Sequence, residues 1–234
     1  MQFNWVCFLI GIAVMCVLTI FTRWLFYCLI AKKSLKWNMK NNNILFFVVS
    51  PDYICAQMSK NALCIDSAEE SENDRKHYIE NYNTINLIIS IVVAILSYVA
   101  MYLGNNELKN ILCACVAFRI LSRTIEINLS FIKDISEEEN RSGIKSGKRV
   151  VLAIKSLIEE MVLFAAMYIW FLSDGEYLVL QSLTMGLYSF TLDNVAETCK
   201  VIVKFISAYQ KMCSVCLISL CIASYASGAK KGNA

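Results

Sequence analysis

Four long apolar runs dominate the chain. Trp5 to Ile30 is broken only by Arg23, and Tyr82 to Leu103 carries no charge and ends at Gly104-Asn105-Asn106. Val150 to Leu172 is entered through Lys148 and Arg149 and holds Lys155, Glu159 and Glu160 in its first half, while Val201 to Ser227 is followed by Lys230 and Lys231. A hydrocarbon core about 30 Å thick takes about 20 mostly apolar residues as helix, so each run predicts a transmembrane helix. The first run is too long for a signal-peptide core and lacks a small-residue cleavage site after it, which predicts a retained span. Arg23 and Trp24 suit an interfacial position with the arginine snorkelling.

A fifth segment, Lys109 to Ile132, has a different pattern. Arg119, Arg123, Glu126, Ser130 and Lys133 recur at three- and four-residue steps on one helical face, and Ile111, Leu112, Val116, Ile120, Leu121, Ile125 and Leu129 occupy the other. Such a helix either lies at the interface or spans with its polar face turned into a bundle. Charge placement favours spanning. Lys32, Lys33, Lys36, Lys40, Lys60, Arg75 and Lys76 fall between the first two runs, Lys133, Arg141, Lys145, Lys148 and Arg149 before the third, and Lys230 and Lys231 at the end. Excess Lys and Arg mark the cytoplasmic side, and all three groups lie inside only if 109–132 crosses. The expectation is five spans in the plasma membrane, amino terminus outside and carboxyl terminus cytoplasmic; four spans with one interfacial helix is the alternative.

The resulting organisation is an all-α polytopic transmembrane helical bundle: a first helix at 1–31, a cytoplasmic loop at 32–81, two helices and a cytoplasmic linker at 82–149, a segment of span, half-length run and span at 150–227, and a tail at 228–234. Within 32–81, Ile44 to Val49 is a short apolar run before Pro51, a strand or membrane-touching piece, and Glu69 to Lys76 is a solvated charge run. The loop is too small for an independent enzyme domain.

Composition agrees with a membrane protein. The chain is 57% hydrophobic, its mean hydropathy is +0.52, and it has one Pro and eight Gly, few breakers for long helices. The net charge of +3 is clustered, with no basic stripe for nucleic acid. Most of the eleven cysteines lie in apolar runs and read as small hydrophobes, including the Cys213-x-x-Cys216 pair; Cys55 and Cys64 lie in the loop. The single histidine, His77, sits in a charged stretch, and no nucleophile, phosphate-loop or metal motif is present. No cofactor and no enzymatic activity are implied. Glu159 and Glu160 are adjacent and point about 100° apart on a helix, so they do not serve one site together.

The last third carries the most specific pattern. After Val150 to Leu172 and a short turn at Ser173 to Tyr177 comes Leu178 to Phe190, apolar but too short to cross, containing Ser182, Thr184, Gly186 and Ser189. A polar stretch, Thr191 to Lys200, leads into the last span. A half-length apolar segment between spans reads as re-entrant, like a pore helix. Leu187-Tyr188-Ser189-Phe190-Thr191 resembles the pore-helix end that leads into the filter of the potassium-channel superfamily. Gln210-Lys211-Met212-Cys213-Ser214 resembles that family's inner-helix Q-x-x-x-G, with Ser214 in place of glycine. The stretch from Arg119 to Asp134 also resembles the segment before the outer helix in small bacterial members. The resemblance covers about a third of the chain and implies a homo-oligomer, a tetramer if channel-like, that handles inorganic ions within the lipid bilayer.

The family's glycine filter, T-V-G-Y-G, is missing. Here Thr191 is followed by Leu192-Asp193-Asn194-Val195-Ala196, and backbone carbonyls are not presented in the usual way without glycine's conformational range. The filter-like candidates are therefore Ser189, Thr191, Asp193 and Asn194. On the last helix, Ser207, Ser214, Cys221 and Gly228 recur every seven residues, and Lys211 shares the face of Ser207 and Ser214. A small-residue stripe lets helices approach closely; Lys211 either faces a common axis or snorkels near the outer interface. Arg119 and Arg123, four apart beside Glu126, are too few for a voltage sensor and look like a buried pair or cytoplasmic anchors. The two functional expectations are an atypical ion pore and a nonconducting subunit or membrane-perturbing effector with a channel-derived fold.

Overall fold

A computed structural model of the chain describes residues 4–31, 49–63, 68–136, 146–171, 178–187 and 201–231. Among these residues the structure is helical, without strand: α1 (Trp5–Ala31), α2 (Pro51–Leu63), α3 (Ala68–Leu103), α4 (Asn106–Ser136), α5 (Ser146–Tyr168), α6 (Leu178–Leu187) and α7 (Val201–Lys231). The all-helical class expected from the sequence holds.

The helix ends follow from local chemistry. Asn4 caps α1, its Oδ1 accepting from Val6 N at 3.0 Å and Cys7 N at 3.4 Å. Gly104, with φ of 72°, takes the left-handed conformation after α3 that a Cβ would strain. Asn105 then caps α4, accepting from Glu107 N at 2.9 Å and Leu108 N at 3.1 Å. Two residues thus close an αα-hairpin. Ser50 caps α2, receiving Tyr53 N at 3.3 Å, and Pro51 occupies the first helical position, where its missing N–H costs nothing.

Among the described residues, three helices are long and apolar enough to cross a membrane: Trp5–Ile30, Asn73–Leu103 and Val201–Ala223. Only 22%, 33% and 28% of their apolar windows are buried, so most of that surface faces outward. Trp5, Val6, Leu9, Val17, Phe21 and Leu29 of α1 are exposed, as are Ile88, Val92, Ile95 and Val99 of α3. In water such surface would be a liability; against lipid it is matched. The helix expected at 109–132 forms within α4, and the run expected at 150–172 is helical as far as Tyr168, where α5 ends; both carry the charges that set them apart from these three.

The chain divides into two compact units. The first comprises Met1–Met15, Asn86–Ile120 and Ser156–Leu217. Its core joins Met15, Val93, Val116, Leu163, Phe164, Tyr168 and Val203. The second comprises Cys16–Ile85, Leu121–Lys155 and Ile218–Ala234. Its core is aromatic: Tyr27, Leu63, Tyr78 and Tyr82, with Phe26 against them. Tyr78 stacks on Tyr82 at 5.7 Å between centroids.

Two expectations change here. The 32–81 segment, read as a loop, holds α2, whose Ile54, Cys55, Ala56, Met58 and Leu63 are buried. α3 also begins at Ala68, so the Glu69 to Lys76 charge run is helical. The Pro51 signal and Ser50 cap account for the first change, and the unbroken, proline-free run from Ala68 accounts for the second. Residues 44–48 and the turn at 173–177 lie outside the described residues.

Candidate functional site

The second unit contains a buried charge cluster. Arg23 of α1 is 2% exposed and does not snorkel outward as expected. Its guanidinium pairs with Glu126 of α4, approaches Asp52 of α2 at 3.6 Å and lies 3.7 Å from the centre of the Tyr82 ring. Burial among partners replaces snorkelling because α2 supplies a carboxylate where lipid or water was expected. Arg123 pairs with the same Glu126 carboxylate and donates to Asn83 Oδ1 at 3.4 Å. Asp52 is fixed by Ser122, whose hydroxyl donates to Asp52 Oδ2 at 2.8 Å, and Ser50 Oγ donates to the Ser122 carbonyl at 2.9 Å. Two guanidiniums thus face two carboxylates, and the formal charge of these four groups sums to zero.

Charge neutrality is what makes such a cluster tolerable. Isolated ions in a low-dielectric interior lose several kcal/mol of hydration each, recovered only by close, well-hydrogen-bonded partners. Beside the cluster, Cys55 of α2 is buried, and that burial pushes its thiol from the ordinary 9.0 up to about 12, against the opposing pull of Arg23. It is a neutral, unreactive thiol.

The first unit contains a second, separate pair. Arg119 of α4 is 1% exposed. Its Nε donates to Ser90 Oγ at 3.1 Å, and its Nη2 donates to the Asn86 carbonyl and Oδ1, each at 3.1 Å. The same Nη2 reaches Glu159 Oε1 of α5 at 3.3 Å, and Ser90 Oγ donates to that oxygen at 2.9 Å. One guanidinium therefore ties three helices. Arg119, Arg123 and Glu126 are buried as the sequence pattern allowed, but Arg119 belongs to one cluster and Arg123 with Glu126 to the other.

The α5–α6–α7 segment of the first unit has its own polar anchor. Gly186 packs so tightly on α5 that a Cβ there would stand 2.6 Å from Ala165 Cβ and 2.8 Å from the Met161 carbonyl oxygen. Gln210 of α7 donates to the Gly186 carbonyl at 2.8 Å and accepts from the Tyr168 hydroxyl at 2.6 Å. Tyr98 of α3 and Ser182 of α6 share a hydrogen bond at 3.0 Å. A side chain of α7 thereby binds the backbone at the end of α6.

The remaining candidates fall as follows. Ser207 and Ser214 are buried with Val203, Gln210, Cys213 and Leu217, so this stripe faces the chain's own helices. Lys211 and Cys221 are half-buried. The outward side of α7 is Val201, Ile202, Phe205, Met212 and Val215. Ser189, Thr191, Asp193 and Asn194 lie outside the described residues. Among the described residues, no group of three or more His, Cys, Asp and Glu is placed to hold a metal ion, and His77 is exposed.

Sequence reasoning did not select Arg23 as buried, nor Asp52, Asn83, Asn86, Ser90 or Glu159 as partners. A signal existed for part of this set: Asn83, Asn86, Ser90 and Ser97 recur at helical spacing along an otherwise apolar run, a polar stripe that needs an interior partner. Compared with family models, curated proteins and solved structures, the chain matches none.

Proposed function

We propose that this chain is a multi-pass integral membrane protein of channel type, conducting an inorganic ion as a homo-oligomer through a path built without a glycine filter. In this reading α4 and α5 cross the bilayer with the three apolar helices, the amino terminus is outside, and α6 is re-entrant. One observation carries it: a ten-residue helix, too short to span, is seated on α5 through Gly186 and tethered to α7 through Gln210. Long helix, half-length helix and long helix in this order resemble the outer helix, pore helix and inner helix of the potassium-channel superfamily. The buried Arg119–Glu159 pair and the Arg23–Asp52–Arg123–Glu126 cluster suit helices whose polar faces turn inward from lipid.

The test is reconstitution of the purified chain in liposomes, with flux of potassium, sodium and chloride measured beside the oligomeric mass in native detergent. Flux that scales with an oligomeric species supports the reading. A strict monomer, or an oligomer passing none of the three ions, overturns it. A second reading, a nonconducting subunit or membrane-perturbing effector, is favoured by the burial of Ser207 and Ser214 against the chain's own helices and by the absent filter glycines. An oligomer silent to ions supports this alternative.

A further inference from the structure

The charge cluster of the second unit is complete in charge but not in hydrogen bonds. Arg23 Nε and Asp52 Oδ1 are buried and neither has a protein hydrogen-bond partner. Arg23 and Asp52 are 2% and 1% exposed, and the closest approach between them, Nη2 to Oδ1 at 3.6 Å, is too long for a hydrogen bond. The Tyr78 hydroxyl lies beside Ser59 and the Arg23 guanidinium, and the Tyr78 and Ser59 hydroxyls are likewise buried without a completed hydrogen bond. Four orphaned polar atoms, from α1, α2 and α3, are therefore Nε of one guanidinium and three oxygens in its neighbourhood. Buried polar atoms in folded proteins are nearly always satisfied, and a local concentration of exceptions needs a cause.

The chemistry of the four atoms selects what completes them. Arg23 Nε only donates and Asp52 Oδ1 only accepts, so the missing partner both accepts and donates; the two hydroxyls do either. A metal cation is opposed by Arg23, whose own Nε is one of the four atoms. An anion is repelled by Asp52, whose Oδ1 is one of the four atoms, and would bring the desolvation cost of another buried ion. A neutral molecule with both functions fits, and water is the smallest. It requires two to four polar partners and a polar site, and up to four are present. We propose that the second unit encloses an internal hydration site, in which water bridges Arg23 Nε and Asp52 Oδ1 and is held by the Ser59 and Tyr78 hydroxyls. The cluster is then wet, and Asp52 is bound to Arg23 through solvent while Glu126 is bound to it directly. This site does not depend on whether the protein conducts.

X-ray hydroxyl-radical footprinting of the full chain in lipid nanodiscs tests it, because radicals generated from bound water oxidise the side chains beside that water. Tyr78 and Tyr168 are each 1% exposed, but the Tyr168 hydroxyl is already satisfied by Gln210. Tyr78 is expected to oxidise several-fold faster than Tyr168. Ser59→Val, which fills the site and removes a hydroxyl, is expected to bring Tyr78 down to the Tyr168 rate. Ser59→Ala removes the hydroxyl without added bulk and is expected to lower the Tyr78 rate by a smaller factor. Continued protection of Tyr168 identifies the variants that remain folded. Equal, slow oxidation of Tyr78 and Tyr168 in the native protein overturns the proposal, as does an unchanged Tyr78 rate in a folded Ser59 variant.

Discussion

Glu126→Gln is the most informative single change, because one carboxylate balances two buried guanidiniums. Glu126 pairs with both Arg23 and Arg123, and the substitution keeps its shape while removing its charge. Two cations then remain with Asp52 alone, and Asp52 stands 3.6 Å from Arg23. Removing one partner of a buried ion pair costs about 3–5 kcal/mol, chiefly through the charge left uncompensated. For a chain of this size each kcal/mol moves the melting temperature by about 2–4 °C, so the expected loss is roughly 6–20 °C, read by near-ultraviolet circular dichroism in detergent. The charge argument requires a rescue. Arg123→Gln combined with Glu126→Gln leaves Arg23 with Asp52, again neutral, and is expected to recover about half of the loss or more, a coupling that adjacent residues in one network should show. Lys148→Gln is the control: its pair with Glu80 is 2.8 Å long but the lysine side chain is 51% exposed, and exposed pairs contribute less than about 1 kcal/mol. A Glu126→Gln protein that melts within 2 °C of the native one, or a double variant as unstable as the sum of its parts, would refute the reasoning.

Two further outcomes follow from single contacts. Gly186→Ala places a methyl 2.6 Å from Ala165 Cβ; overpacking of this kind costs about 1–3 kcal/mol, and Ala165→Gly in the same chain is expected to restore part of the melting temperature. Cys55, its thiol raised from 9.0 to about 12 by burial, is expected to resist maleimide at neutral pH in the folded protein and to react on unfolding; mass spectrometry of the labelled protein reads both states. Because the raised thiol holds its proton more tightly in the folded state, its contribution to stability is whole below pH 9 and declines as pH climbs towards 12.

What the sequence revealed and what it hid divide along the range of the interactions. The apolar runs at Trp5 to Ile30 and Val201 to Ser227 become α1 and α7 nearly end to end, because length and hydropathy are local properties. The polar face of α4 was also legible, since Arg119, Arg123 and Glu126 recur at helical steps. Their partners were not. Arg23 meets Glu126 across 103 residues and Asp52 meets Ser122 across 70, and no periodicity encodes a pairing between helices. Arg23 alone in an apolar run allowed both snorkelling and burial, and only the docking of α2 decides between them. α2 itself was overlooked because its mixed composition resembles a loop, although Ser50-Pro51 is a helix-start signal. The filter-like residues at 189–194 lie outside the described residues, and the channel resemblance is one of sequence.

The last helix turns the functional question into a chemical one. Ser207 and Ser214, read as a stripe that lets helices approach closely, are buried within the first unit, which leaves Val201, Phe205, Met212 and Val215 as the outward surface of α7. If copies of this chain surround a path with that surface, the path is lined by apolar rings, and such constrictions gate by dewetting. Polar side chains should then wet it. Phe205→Ser and Met212→Ser, seven residues apart and hence near one another on the helix surface, are expected to raise ion flux in liposomes without changing oligomeric mass, and Val14→Ser on the outward side of α1 is expected to leave flux unaltered. If the α7 variants stay oligomeric and flux is unchanged, this surface meets lipid, and any conducting path has to be formed elsewhere in the chain.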